Sequence, residues 1–264
     1  MTLPTAGFPL AAAVSPRLQV VESTDSTNAH LIRDVEHDPA GHPHLSVLLT
    51  DDQRAGRGRL DRSWTTPAGT ALAVSVLVRV PDLPPHARGW IPLVAGAAMT
   101  RALTDQLRGH AHEVALKWPN DVLLDGGKVC GILAEVVPGD PSAVVVGAGV
   151  NTSMRRVDLP VPTATSFAAV GVDIDLDALL ARYLRFIEEQ LAALTAAGGD
   201  AAASGVRAEV EAVCDTIGRD VSVSMPDGGV LLGRAVRLDA DGRLVVEVSG
   251  VETMVSAGDV VHVR

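Results

Sequence analysis

Two hydrophobic periods run along this chain, and the place where one gives way to the other divides it. Residues 45–50, 70–80, 114–118, 122–124, 129–137 and 143–150 are short apolar or alternating runs bounded by Gly, Pro, Asn and Asp, the pattern of strands. Between and after them the spacing is helical. A polar cluster from Glu22 to Asn28 precedes Leu31, Ile32 and Val35, which predicts a short amphipathic helix capped by Thr24, Asp25 or Ser26. Residues 88–107 carry Trp90, Leu93, Val94, Ala97, Leu103 and Leu107 at helical spacing. Residues 173–194 carry Leu176, Leu179, Leu180, Tyr183, Leu184, Ile187 and Leu191, and a shorter helix is expected at 206–213. From Ile217 the helical period disappears. Residues 221–225, 230–238, 244–248 and 260–263 read as short strands, with turns at 226–229 and 239–242. The expectation is a small all-β barrel joined to a larger mixed domain near 214–218. So short a barrel buries too little to stand alone and should dock on its neighbour.

The strand, turn and strand pattern of 114–137 contains the only two lysines of the chain, Lys117 and Lys128; every other fixed cation is Arg. Where Arg is otherwise preferred, a surviving Lys marks a place that needs a compact ammonium rather than a planar fork. Turns at Pro119-Asn120-Asp121 and Gly126-Gly127 would set Lys117 at the end of one strand and Lys128 near the start of another. Rigid elements of that kind are where anion-handling groups belong.

Composition and charge narrow the class. With 47% hydrophobic residues the chain can bury a substantial core. Its apolar runs fall short of the roughly 18 residues that a membrane helix needs. Residues 1–17 lack the basic start of a secretory signal and are expected to form a flexible leader on a cytoplasmic protein with no membrane partner. A net charge of −10 and a pI near 5.2 argue against a DNA-binding surface, which works by neutralising phosphates. Any anion site must therefore be local. Cys130 and Cys214 are far apart and have no metal-ligand company; of a disulfide between them and free intracellular thiols the second is the expected reading, and no metal site is expected.

One local anion site is visible. Arg54, Arg57, Arg59 and Arg62 are interleaved with Gly56 and Gly58 and followed by Trp64. Glycines let a backbone approach a ligand, arginines offer bidentate forks to phosphate or carboxylate, and an indole offers a face to a flat ring. Together they fit a nucleotide. The stretch is not a P-loop, since no Gly-Lys-Ser/Thr follows, and not a dinucleotide fingerprint, since the third glycine is missing. Gly147-Ala148-Gly149-Val150-Asn151 also lacks that glycine and the helix that should follow it; Asn151, at a strand end, is the better ligand candidate. Ser26, Thr27 and Asn28 could cap a helix and do nothing more, or could bind a small polar ring or carboxylate at its N-terminus.

Taken in order, these residues form a recognisable series: Asp25-Ser26-Thr27-Asn28, Gln53-x-Ala55-Gly56-Arg57-Gly58-Arg59 with Arg62 and Trp64, Lys117-Trp118-Pro119-Asn120-Asp121, Lys128-x-x-Gly131-Ile132-Leu133-x-Glu135 and Gly147-x-Gly149-x-Asn151. The series resembles the biotin–protein ligases (biotin–[acetyl-CoA-carboxylase] ligases). Cys130 departs from the Ala or Ser usual in that family. The short segment ahead of the Ser-Thr-Asn motif implies the monofunctional form without the DNA-binding domain.

The resemblance implies an α+β fold: a class II aminoacyl-tRNA synthetase-like catalytic domain at 18–214, with a mixed sheet flanked by helices, plus a small C-terminal SH3-like β-barrel at 215–264. It implies that biotin and ATP, with Mg2+, give biotinyl-5′-AMP and pyrophosphate, with no tightly bound prosthetic group. A lysine of a biotin carboxyl carrier domain of an acyl-CoA carboxylase then attacks the adenylate. By the same resemblance Lys128, Arg57, Arg59 and Lys117 serve catalysis; Ser26, Thr27, Asn28, Gln53, Arg57, Gly58, Arg59, Lys128 and Gly131 bind biotin; and Arg59, Arg62, Trp64, Lys117, Asn120 and Asn151 bind the nucleotide. The alternatives are a lipoate–protein ligase or octanoyltransferase of the same fold, against which the Arg-Gly-Arg loop and Trp64 argue, and a non-enzymatic nucleotide or nucleic-acid sensor, against which charge and motifs argue.

Overall fold

A computed structural model describes residues 3–60, 62–225, 228–256 and 258–263. Pro226 and Asp227 of an expected turn, and Ala257 of the C-terminal motif, lie outside the described residues. In chain order the elements are α1 (Pro9–Ala12), β1 (Leu18–Val20), α2 (Thr27–His37), β2 (Val47–Thr50), β3 (Gly56–Arg57), β4 (Ser63–Trp64), β5 (Ala71–Arg79) and α3 (Trp90–Gln106). There follow β6 (Val114–Lys117), β7 (Asp121–Leu124), β8 (Gly127–Val137), β9 (Asp140–Asn151), α4 (Phe167–Val170), α5 (Leu176–Ala196) and α6 (Val206–Glu211). The C-terminal strands are β10 (Asp220–Ser224), β11 (Val230–Leu238), β12 (Leu244–Val248), β13 (Val251–Val255) and β14 (Asp259–His262).

The main sheet has seven strands in the order β1-β2-β5-β9-β8-β7-β6. Only β1 and β2 run parallel; the other pairs are antiparallel, so the sheet is mixed, as expected. Val74, Val76 and Val146 on one face join Leu93 and Val94 of α3 and Leu184 and Ile187 of α5 in the main core. On the other face Leu31 and Val35 of α2 pack against Leu48, Leu77 and Val145. Helices on both faces explain why β5 is buried from Ala71 to Val78 rather than on alternate residues only. Helix α1 lies inside the segment expected to be a flexible leader. It is docked: the Asp177 carboxylate accepts the backbone N–H groups of Leu10 and Ala11 at 2.9 Å each, and Phe8 and Ala11 are buried.

The expected SH3-like β-barrel is not formed. Strands β10 to β14 make an open five-stranded sheet in the order β13-β12-β11-β10-β14, and β13 and β14 are its two edges. A barrel closes only when its edges hydrogen-bond to one another. Here β14 pairs with β10 and β13 with β12, and the register of β11 against β12 shifts between Ala235 and Arg237 without joining the edges. β13 has no counterpart among the predicted strands; most of its residues are exposed, which blurs the alternation.

The inner face of this sheet, with Val221, Val223, Ala235, Val246 and Val260, is continuous with the main core. Trp90 Nε1 and Trp118 Nε1 donate to the carbonyls of Ala240 and Gly242 at 2.8 and 3.2 Å, which fastens the C-terminal sheet beside α3 and β6. Among the described residues no helix is long and apolar enough to cross a membrane.

Candidate active site

The cleft is built from several chain segments far apart in sequence. At the start of α2, Ser26 is the N-cap, its Oγ accepting the Ala29 N–H at 3.4 Å. Arg33 grips the preceding Asp25 through two bonds of 3.0 Å and, as the largest influence, holds its carboxyl well below the usual carboxylate range. The next two residues are committed to partners across the cleft wall. Thr27 donates from its backbone N and its Oγ1 to Gln53 Oε1 at 2.8 and 3.1 Å. Asn28, buried, donates from Nδ2 to the Leu133 carbonyl and accepts at Oδ1 from Ser75 Oγ at 2.6 Å.

The arginine loop spans the short hairpin β3–β4. Gly56 is required there, since a Cβ would meet the Trp64 carbonyl at 2.4 Å and Gln53 Nε2 at 2.5 Å. Each arginine reaches a different wall. Arg57 bonds Glu135 at 3.0 Å, Arg59 bonds Asn120 Oδ1 at 3.2 Å, and Arg62 forms an ion pair with Asp259 of β14. Burial pushes the Arg59 guanidinium below its ordinary pKa, against the pull of Asp259 and Asp121. The Trp64 indole lies on β9, where an added Cβ at Gly149 would come within 2.7 Å of it. On β8, Lys128 Nζ lies 2.6 Å from Asp121 Oδ1, and Gly131 leaves room for it, an added Cβ there lying 3.2 Å from Nζ.

Together these segments line one open cleft. Twelve of the fourteen predicted site residues line it: Ser26, Thr27, Asn28, Gln53, Arg57, Gly58, Arg59, Arg62, Trp64, Asn120, Lys128 and Gly131. Hydroxyls and a carboxamide stand at the α2 end, four cations and the indole elsewhere, and Asp121 and Asp259 supply the only lining carboxylates among the described residues. In this acidic chain the cleft is locally cationic, as anion binding requires.

Lys117 and Asn151 are not among the lining residues. Lys117 ends β6, and its charge is felt by His262, whose pKa is lowered first by burial and then by Lys117. Asn151 is buried behind the wall, donating to the carbonyls of Thr165 at 2.9 Å and Lys128 at 3.4 Å. Asp121 and Asp259 are the charged lining residues that sequence reasoning gave no role. Asp121 stands inside the Lys-Trp-Pro-Asn-Asp motif and, with β7 and β8 expected as neighbours, pairing with Lys128 could have been anticipated. Nothing local marks Asp259. Among the described residues no cluster of His, Cys, Asp and Glu could hold a metal ion.

A mixed sheet carrying a cleft of hydroxyls, carboxamides, four cations and an indole has the chemistry of a site for anions and a flat ring, and comparison with known proteins places it among the ligases. Residues 20–151 match the Biotin/lipoate A/B protein ligase family and residues 216–263 the Biotin protein ligase C terminal domain. The chain is 39% identical over 251 residues to the biotin–[acetyl-CoA-carboxylase] ligase of Mycobacterium tuberculosis, covering 94% of this chain and 90% of that protein. It is 30% identical to the bifunctional ligase/repressor BirA of Escherichia coli, covering 88% of this chain and 70% of that protein. In structure it is similar to the biotin protein ligase of Aquifex aeolicus in complex with biotin and ATP, with a TM-score of 0.75, 25% identity and coverage of 94% and 99% of the two chains. The chain belongs to the biotin/lipoate A/B protein ligase family, as one of its biotin–protein ligases.

Proposed function

We propose that the chain activates biotin with ATP as biotinyl-5′-AMP and transfers it to one lysine of a biotin carboxyl carrier domain. In the first step a biotin carboxylate oxygen attacks the α-phosphorus of ATP and pyrophosphate leaves; in the second the acceptor amine attacks the acyl carbon and AMP leaves. The first step brings two anions together, so cations must neutralise both and hold them in line. Lys128 serves the carboxylate and α-phosphate, where a compact ammonium fits a crowded centre. Ser26, Thr27, Asn28 and Gln53 bind the ureido head, while Gly58 and Gly131 let the backbone approach closely. Trp64 and Asn120 serve the nucleotide. Arg57, Arg59 and Arg62 close over the ligands and exclude water, which would otherwise hydrolyse the mixed anhydride. Mg2+ enters with the ATP phosphates.

Asn151 acts from behind, on the Lys128 backbone, and Lys117 adds its charge from outside the cleft. Residues 18–214 form the catalytic domain and 215–264 a C-terminal unit docked on it, in a cytoplasmic enzyme.

The observation that carries this reading is the meeting of Lys128, the three loop arginines and the Ser26–Asn28 turn in one cleft. The test is biotin-dependent exchange of labelled pyrophosphate into ATP, followed by labelling of a carrier domain. Labelling with lipoate in place of biotin would overturn it.

A further inference from the structure

Glu135 ends the Lys128-x-x-Gly131-Ile132-Leu133-x-Glu135 motif, yet it stands behind the cleft wall rather than in it. A single carboxylate oxygen, Oε2, accepts from two residues that do line the cleft, Asn28 Nδ2 at 2.8 Å and Arg57 Nη2 at 3.0 Å. The other Asn28 Nδ2 proton goes to the Leu133 carbonyl at 3.1 Å. Turned over, the carboxamide would aim its own oxygen at a carbonyl and a carboxylate, two acceptors with no proton to share. Glu135 and Leu133 therefore decide which end of the amide faces β9. It is the oxygen: Oδ1 takes the Ser75 hydroxyl at 2.6 Å and lies over Gly147, where an added Cβ would come within 2.3 Å of it. A carbonyl oxygen has two lone pairs, so one remains after Ser75 for a donor arriving in the cleft.

We propose that Glu135 is a positioning residue of the ligase. It fixes Asn28 as an acceptor for a ring N–H of the bound acid, and it ties the same wall to Arg57 of the closing loop, so head recognition and loop placement share one carboxylate. This inference rests on the biotin-ligase reading. It gives the cleft a basis for selecting an acid whose head carries N–H donors, because a head without them leaves the buried Oδ1 under-satisfied when water is expelled.

Biotin is titrated calorimetrically into the full chain as wild type, Glu135→Ala, Glu135→Gln, Asn28→Ala and the Asn28→Ala/Glu135→Ala double variant. Melting temperatures and the KM for ATP in pyrophosphate exchange are measured alongside. Glu135→Ala should weaken biotin binding by about tenfold or more, the scale of a lost hydrogen bond to a charged group, with a smaller rise in the KM for ATP from the lost Arg57 bond. Glu135→Gln, whose amide oxygen still accepts from Asn28 but no longer pairs with Arg57, should weaken it less. In the Asn28→Ala background the further loss from Glu135→Ala should shrink, because most of its effect passes through Asn28. Equal biotin affinity in wild type and Glu135→Ala, or full additivity of the two alanine substitutions, overturns the proposal while leaving the ligase reading intact. No binding of biotin to the wild type overturns both.

Discussion

Lys128 Nζ and Asp121 Oδ1 meet at 2.6 Å across the neighbouring strands β8 and β7, inside the cleft. The Lys128 side chain is 40% exposed and Asp121 24%, so the pair adds little to stability, of the order of 0–1 kcal/mol. Its value lies in placement. Asp121 holds the ammonium over Gly131 and can yield it to an arriving carboxylate or phosphate without leaving an unpaired buried charge.

Lys128→Arg should therefore lower adenylate formation by at least about two orders of magnitude, since a planar fork cannot reproduce a point charge at the reacting centre. Pyrophosphate exchange measures this, and circular dichroism should show the fold intact. Exchange near the wild-type rate would refute the role given to the ammonium.

Arg59 lies between two spaces, the cleft and a groove that Asp241, Gly242 and Arg243 also line. Arg59→Gly should still form biotinyl-AMP but release it, because the loop loses its bond to Asn120 and a guanidinium that lines the cleft. Free adenylate in the filtrate after turnover is the readout; retention equal to wild type would count against a closing loop.

The Arg62–Asp259 pair ties that loop to the C-terminal sheet. Asp259→Ala should quicken adenylate release by up to about fivefold, the kinetic equivalent of the roughly 0.2–1 kcal/mol that an exposed ion pair contributes. The effect should fade as salt is raised, and a salt-independent change would point to a different cause.

At Gly149 an added Cβ would sit 2.7 Å from the Trp64 indole and 2.8 Å from its neighbouring ring atom. Gly149→Ala must therefore displace Trp64, and the KM for ATP should rise about tenfold, the scale of a lost aromatic stacking contact. Tryptophan fluorescence should shift to longer wavelength as the ring gains water. An unchanged spectrum with unchanged KM would remove Trp64 from the nucleotide site.

Both cysteines are buried and free. Burial pushes the Cys130 thiol up to about 12 and raises Cys214 as well. The thiol form thus persists in the native state as pH rises past the ordinary thiol range, and thiolate is the reactive species. Iodoacetamide at pH 8 should leave the native chain unmodified and label both positions once it is denatured, as mass spectrometry would record.

Much of the site was legible because its signals are local. A hydroxyl before an apolar stripe caps a helix by backbone geometry alone, although three residues competed for that place and only the fold selects Ser26. The glycine-spaced arginines and the two lysines stood out by residue type. Six of the seven strands of the main sheet follow from periodicity, since strands covered on both faces read as continuous apolar runs; β1, which makes its parallel pair, does not, and the mixed sheet came from the family resemblance. What could not be read is set by distance along the chain. Alternation is the same in an open sheet as in a barrel, and whether β13 meets β14 depends on twist and packing that no short window contains. The docking of α1 needs Asp177, and the tether of Arg62 needs Asp259, each far away in sequence. A motif brings a side chain to the neighbourhood of a site, but the direction of its strand decides whether it enters. Thus Lys128 lines the cleft, Lys117 does not, and Glu135 stands behind the wall with both its partners in front.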